Sequence, residues 1–138
     1  VKALGDRFAE AMAEFTHKKI REWWKFGMSE NLGNQELINE KYQGIRPASG
    51  YPCQPDHTEK DTIWKLLSVN ERIKLELTES RAMNPGCSVS GLYFSNPNAR
   101  YFNVGSLGRD QVEDYARRKK WPIEKAIKWL RPNLGFDA

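Results

Sequence analysis

Leu4, Phe8, Ala11 and Phe15 recur at spacings of three and four, which predicts one long helix over residues 1 to about 25 with these side chains on one face. Asp6, Glu10 and Glu14 stand four apart on a second face. Like charges at that spacing oppose a helix by about 0.2–0.5 kcal/mol per pair. They form either a solvated stripe relieved by Arg7 and Lys18, or a set of carboxylates that a partner or cofactor needs. No capping residue precedes Leu4, so the helix is expected to begin before Val1 and the chain to be a piece of a longer one. Gly27 is the expected helix end, Ser29 to Gly33 a turn, and Asn34 the cap of a short helix from Gln35 to about Tyr42.

Thr58-x-x-Asp61 reads as a capping pattern ahead of a helix carrying Ile63, Trp64, Leu66 and Leu67. Strand character follows at 75–79 and 88–94, and Tyr101-Phe102-Asn103-Val104 returns after the Asn96-Pro97-Asn98 turn. This predicts a hairpin of 88–94 with 101–105. Helices at Arg109–Lys119 and Ile123–Leu130 close the chain. The order of elements predicts an α+β fold: a twisted antiparallel sheet with flanking helices, in one domain over residues 1–138.

The 138 residues are 39% hydrophobic, with five Trp, six Phe and five Tyr, which is enough apolar material for a core. No apolar run is long enough to span a membrane, and no secretory signal pattern is present in these residues. Cys53 and Cys87 lack CxxC spacing, so a reduced pair is favoured over a disulfide. His17 and His57 complete no zinc pattern, and no metal site is expected. The net charge is +4, and its densest cluster, Arg117-Arg118-Lys119-Lys120, ends a helix, where cations complement the dipole. No aromatic-interleaved basic stretch accompanies it, which argues against nucleic acid. A basic module binding an acidic protein or nucleic acid without a small ligand is the alternative reading.

The densest chemistry lies in Arg46-Pro47-Ala48-Ser49-Gly50-Tyr51-Pro52. Two prolines stiffen the stretch and a glycine permits close approach, so it presents a guanidinium and a phenol on a pre-ordered loop. No Walker loop, GxGxxG, GxSxG or HExxH occurs, and no catalytic residues are assigned. Asp56-His57 has the look of a general-base fragment, but between Pro55 and Thr58 it reads as turn and capping chemistry. A free-standing methyltransferase is disfavoured, since the Gly-rich strand-to-helix turn of the commonest such fold is missing.

Several blocks in order resemble the C-terminal activation domain of cobalamin-dependent methionine synthase. They are residues 42–52 around Arg46, Gln54-Pro55-Asp56-His57-Thr58-Glu59-Lys60, Leu77-Thr78-Glu79-Ser80, Val89-Ser90-Gly91-Leu92-Tyr93-Phe94, Gln111-Val112-Glu113-Asp114-Tyr115-Ala116 and Pro132-Asn133-Leu134-Gly135-Phe136-Asp137. The resemblance implies the C-terminal portion of a larger, C-shaped domain, with a further acidic ligand contact upstream of Val1. It implies binding of S-adenosylmethionine for reductive remethylation of cob(II)alamin to methylcobalamin, within an enzyme that methylates homocysteine to methionine. Arg46 would contact the methionine part of the ligand, where a guanidinium suits a carboxylate. Ala48 would offer backbone groups, and Tyr101 and Phe102 would border the adenosyl part. Tyr51 would reach towards cobalt, Asp6 would face the cobalamin domain, and Glu10 and Glu40 would lie near the ligand. Cobalamin would be held by a neighbouring domain and zinc elsewhere in the full-length enzyme. Flavodoxin or a methionine synthase reductase would deliver the electron, and the setting would be cytoplasmic. The isolated fragment is not expected to be active alone. Ser49 departs from the family, which commonly has proline there.

Overall fold

A computed structural model describes residues 1–138. Helix α1 spans Lys2–Trp23, α2 Asn34–Ile38, α3 Glu59–Leu67 and α4 Val69–Ile73. Strands β1 (Glu76–Leu77) and β2 (Met83–Asn84) form a two-stranded antiparallel sheet, with Glu76 opposite Asn84 and Leu77 opposite Met83. Helices α5 (Arg109–Lys119) and α6 (Ile123–Leu130) and a 3₁₀ turn, Arg131–Asn133, complete the chain. The α+β class holds, but the sheet is small.

Two apolar clusters carry the packing. In the first, Trp64, Val69 and Leu75 pack with Ile63, Leu77 and Met83, and the Trp64 indole N–H donates to the Leu75 carbonyl at 2.9 Å. Ser68 in left-handed conformation (φ 50°) separates α3 from α4 and lets Val69 turn back onto Trp64. Leu66 and Leu67 fall on the outer face and are exposed. In the second, Val112 and Ala116 of α5 meet Ala126 and Leu130 of α6, flanked by Leu107, Trp121, Ile127 and Leu134. Lys120 at φ 55° ends α5, and Pro122 precedes α6, so the two helices fold back on each other across a short turn.

The structure revises several expectations. Segment 88–94 does not pair with 101–105. It runs antiparallel to residues 45–47 instead: Ile45 N–H donates to Phe94 O (3.3 Å), Phe94 N–H to Ile45 O (2.9 Å) and Leu92 N–H to Pro47 O (2.9 Å). Pro47 has no N–H to return, which keeps the ladder short. Segment 101–105 is tied to the same loop farther on, through Val104 N–H to Pro52 O at 3.0 Å. Helix α2 stops at Ile38 rather than near Tyr42, because Glu40 turns left-handed (φ 52°). Gly33, not Asn34, occupies its N-cap, and the Glu36 carboxylate accepts the Gly33 N–H at 3.0 Å. Thr58 sits at the α3 N-cap without a side-chain capping bond, since its hydroxyl donates to Asp56 at 2.8 Å instead. Helix α1 ends at Trp23, and Lys25 (φ 54°) already takes a left-handed turn before Gly27. Both cysteines are free.

Within residues 1–138, helix α1 packs through its polar face rather than its apolar one. Leu4, Phe8, Met12 and Phe15 are exposed at 61, 69, 63 and 56%, whereas His17 and Arg21 are buried. The surface that α1 meets presents Tyr42, Arg46 and Tyr93, and the helix answers it with a polar face.

Candidate functional site

The 45–47 ladder brings the Arg46–Pro52 loop, the 88–93 segment, Glu40 and one face of α1 around a cleft of about 1100 Å³. Gly44 makes this closure possible. It lies at φ +88°, and a Cβ there would come within 2.5 Å of the Phe94 carbonyl oxygen. Of the residues singled out by sequence, Glu10, Glu40, Arg46, Ala48, Tyr51 and Tyr101 line this cleft. Phe102 adjoins Tyr101 but is off the wall and 58% exposed, and Asp6 lies on α1 beyond Glu10, also off the wall.

Arg46 is held from α1. Its Nη2 forms ion pairs with Glu14 Oε2 at 2.8 Å and with Glu40 Oε1 at 3.7 Å. Its Nη1, like Glu14 Oε1, is buried without a partner. Burial raises the Glu14 carboxyl above its usual range, with Arg46 and Arg21 offsetting part of the effect. Behind the pair, the His17 ring stacks on Tyr93 at 4.9 Å and meets Tyr42 edge-on at 4.8 Å. The Arg21 guanidinium lies 4.1 Å from the Tyr42 ring centre. Burial, then Arg21 and Arg46, push His17 down to about 4, so this histidine is neutral near pH 7. Burial pushes the Tyr42 hydroxyl up to about 12.

Polar atoms without partners gather around the cleft. Ser49 Oγ, Ser90 Oγ, Tyr42 Oη and Arg46 Nη1 are all buried and unpartnered, and all four residues line it. Buried polar groups are ordinarily paired, so a concentration of orphans marks a surface suited to a polar ligand. Two carboxylates (Glu10 and Glu40), two guanidiniums (Arg46 and Arg100) and hydroxyl groups beside exposed aromatic rings (Tyr51, Tyr101) fit a zwitterionic ligand with a planar end. No three His, Cys, Asp or Glu side chains converge as a metal site.

Sequence reasoning missed Ser49, Ser90, Tyr42, His17 and Lys60 as parts of this region. Glu14, His17 and Arg21 at spacings of three and four were a legible second face of α1. Ser49 and Ser90 carry no signal beyond their place in the segments that resemble the family.

Asp56-His57 does serve local structure. Asp56 accepts from the Thr58 N–H (2.7 Å), the Thr58 hydroxyl (2.8 Å) and the Tyr115 hydroxyl (2.5 Å). The basic cluster of α5 is largely self-paired: Arg117 and Arg118 reach Asp114, and Lys119 reaches Glu59 at 2.6 Å and Asp56 at 3.4 Å. That pairing leaves the reading as a basic nucleic-acid or protein module without support. No helix is long and apolar enough to cross a membrane.

A sequence model of the family described as vitamin B12 dependent methionine synthase, activation domain, matches residues 1–120. The crystal structure of the MetH reactivation domain bound to AdoHcy superposes with a TM-score of 0.93 at 57% identity. The match covers 99% of this chain and 42% of that one, so the chain spans less than half the length of the solved relative.

Proposed function

This chain belongs to the family of vitamin B12-dependent methionine synthase activation domains, and from that premise we propose that residues 1–138 are part of a larger activation domain that binds S-adenosylmethionine to reactivate its enzyme. The observation that carries this reading is the convergence of Arg46, Ala48, Tyr51, Tyr101, Glu10 and Glu40 on one cleft rich in orphaned polar atoms. The AdoHcy bound by the similar reactivation domain is the demethylated product of the same ligand class, which supports it.

Arg46 takes the ligand's carboxylate, and Glu10 and Glu40 supply negative charge to its cationic groups. Ser49 and Ser90 offer hydroxyls, while Tyr101, with Phe102 beside it, gives the adenine a flat apolar neighbour. Tyr51 is 58% exposed at the loop's end, where it can meet cobalamin carried by a neighbouring domain, with Asp6 on the docking side. Cobalamin supplies the methyl-accepting metal centre. This chain's residues bind and orient the methyl donor and exclude water from it. The electron comes from a flavodoxin or a dedicated reductase, zinc belongs elsewhere in the full-length enzyme, and the cytoplasm is its setting. Residues 1–138 alone do not turn over.

The test is thermal stability of the intact enzyme with added S-adenosylmethionine. Ligand at 100 times its Kd stabilises a binding protein by about 2.7 kcal/mol. Arg46→Ala is expected to abolish most of that shift. An intact, folded wild-type enzyme that shows no shift overturns the reading.

A further inference from the structure

Two side chains, His57 and the cleft-wall Lys60, brace the Arg46–Tyr51 loop. Gly50 lies at φ +92°, and a Cβ there would overlap the His57 ring, so the imidazole rests directly against the Gly50 backbone. Three bonds close the turn around this contact. Gly50 N–H donates to Gln54 O (2.7 Å), Gln54 N–H to Tyr51 O (2.8 Å) and Tyr51 N–H to Ala48 O (3.3 Å). His57 fills the space that any larger residue at position 50 would need.

Lys60 holds His57 in turn. It is 5% exposed, and its Nζ lies 3.0 Å from His57 Nδ1 and 3.0 Å from the Arg81 carbonyl oxygen. An ammonium only donates, so Nδ1 must accept and the ring proton sits on Nε2. No carboxylate lies within ion-pair distance of Lys60. Its two acceptors are therefore its compensation for burial, and losing one leaves a buried cation short of partners. Burial holds both Lys60 and His57 below their usual ranges; Lys60 adds to the effect on His57, and Asp56 opposes it.

We propose that His57, fixed by Lys60, is a positioning residue that sets the Ala48–Tyr51 turn and thereby the placement of Tyr51 and the ligand-binding backbone beside it. The consequence for the ligand rests on the reading of this loop as an S-adenosylmethionine site, whereas the consequence for the turn does not.

The experiment uses the intact enzyme with His57→Phe, Lys60→Met and the double variant. Amide hydrogen exchange reads the turn, and S-adenosylhomocysteine affinity reads the site. In His57→Phe, which keeps a ring but strands Lys60, the Gly50 and Gln54 amides exchange about tenfold faster or more, while amides of the α5–α6 pair are unchanged. S-adenosylhomocysteine binding weakens about tenfold in the same variant. The double variant restores the ring contact without a stranded cation and recovers both readouts to within about threefold. A folded His57→Phe enzyme with unchanged Gly50 and Gln54 exchange overturns the proposal, and so does a double variant no better than the single one. If His57→Phe fails to fold, Lys60→Met alone decides: faster exchange at the two amides supports the proposal, unchanged exchange ends it. A wild-type enzyme that binds no S-adenosylhomocysteine overturns the functional reading and leaves the exchange result standing.

Discussion

Helix α6 buries Ala126 and Leu130 against Val112 and Ala116 of α5, whereas helix α1 buries His17 and Arg21 and leaves Leu4, Phe8, Met12 and Phe15 uncovered by the rest of residues 1–138. The α5–α6 pair follows the ordinary logic of an amphipathic helix, in which apolar area leaves water and little else is required. The inner face of α1 does the opposite. It places Glu14, His17 and Arg21 where desolvation costs free energy, and three of their polar atoms, Glu14 Oε1, His17 Nδ1 and Arg21 Nη1, find no partner. Departures of that kind concentrate where a fold serves a ligand. The cost on α1 supports the guanidinium of Arg46, which the α5–α6 pair could not supply.

The comparison breaks most readily at Leu130. This side chain is 3% exposed at the centre of the α5–α6 contact. Leu130→Ala is expected to lower stability by about 2–5 kcal/mol through lost transfer energy and a cavity. Denaturant unfolding measures it, and a cost below about 1 kcal/mol would mean that the pair is not a packed core.

The polar face should show itself through pH. His17 is held down to about 4 from 6.5, facing Tyr42, Tyr93, Arg46, Glu14 and Arg21. A base whose folded value is lowered keeps its full stabilisation above pH 6.5 and loses it as pH falls towards 4. The loss approaches about 3 kcal/mol. Glu14, raised by burial, opposes part of this at the acid end, because its folded form takes up a proton more readily. Comparing wild type with His17→Phe isolates the histidine: the variant should be less sensitive to acid between pH 6.5 and 4. Parallel pH curves for the two proteins would show that His17 is hydrated.

Asp56 ties the α5–α6 pair to the 54–58 loop. Its carboxyl is disfavoured by burial, but hydrogen bonds from Tyr115 and Thr58, with Lys119 nearby, outweigh that and hold it below the usual range. Its contribution is present above the unfolded carboxylate value and is lost as pH falls through the lower folded one, below the main histidine window. Tyr115→Phe removes the 2.5 Å bond that joins α5 to the 54–58 loop. A charge-assisted bond of this kind is worth about 1.5–3 kcal/mol. The variant should lose about that much at pH 7 and less below pH 4, as followed by thermal unfolding across pH.

How much of this was legible follows the same division. The limits of α5 and α6 were readable because local signals set them: the Gly108 cap that Gln111 reaches back to at 2.8 Å, and the Pro122 start of α6. The stiff loop with Arg46 and Tyr51 was readable from residue types, whereas Ala48, Tyr101 and Glu40 came only through the family resemblance. The partner of segment 88–94 was not. Alternation reports strand character, and the choice of residues 45–47 over 101–105 is a long-range pairing decided by Gly44 and the short ladder at Pro47. The contact between Lys60 and His57 was not readable, because a lysine three residues after a histidine carries no signature of burial; only the fold puts the ring against Gly50.

Phe8 gives the smallest expected effect and the sharpest contrast between reading the pattern and reading the fold. The spacing of Leu4, Phe8, Ala11 and Phe15 places Phe8 on a stripe of the sort that helices bury, and truncating a buried Phe costs about 3–5 kcal/mol. In the structure Phe8 is 69% exposed, and substitutions at such positions stay within about 0.5 kcal/mol. Phe8→Gln in this 138-residue chain should therefore leave the denaturation midpoint nearly unchanged and leave the Glu14–Arg46 pair, on the other side of the helix, intact. Four exposed apolar side chains along one helix also make a sticky surface, so the same variant should reduce any concentration-dependent association of this chain. A loss of more than about 2 kcal/mol would place Phe8 in a core and erase the contrast between α1 and the α5–α6 pair.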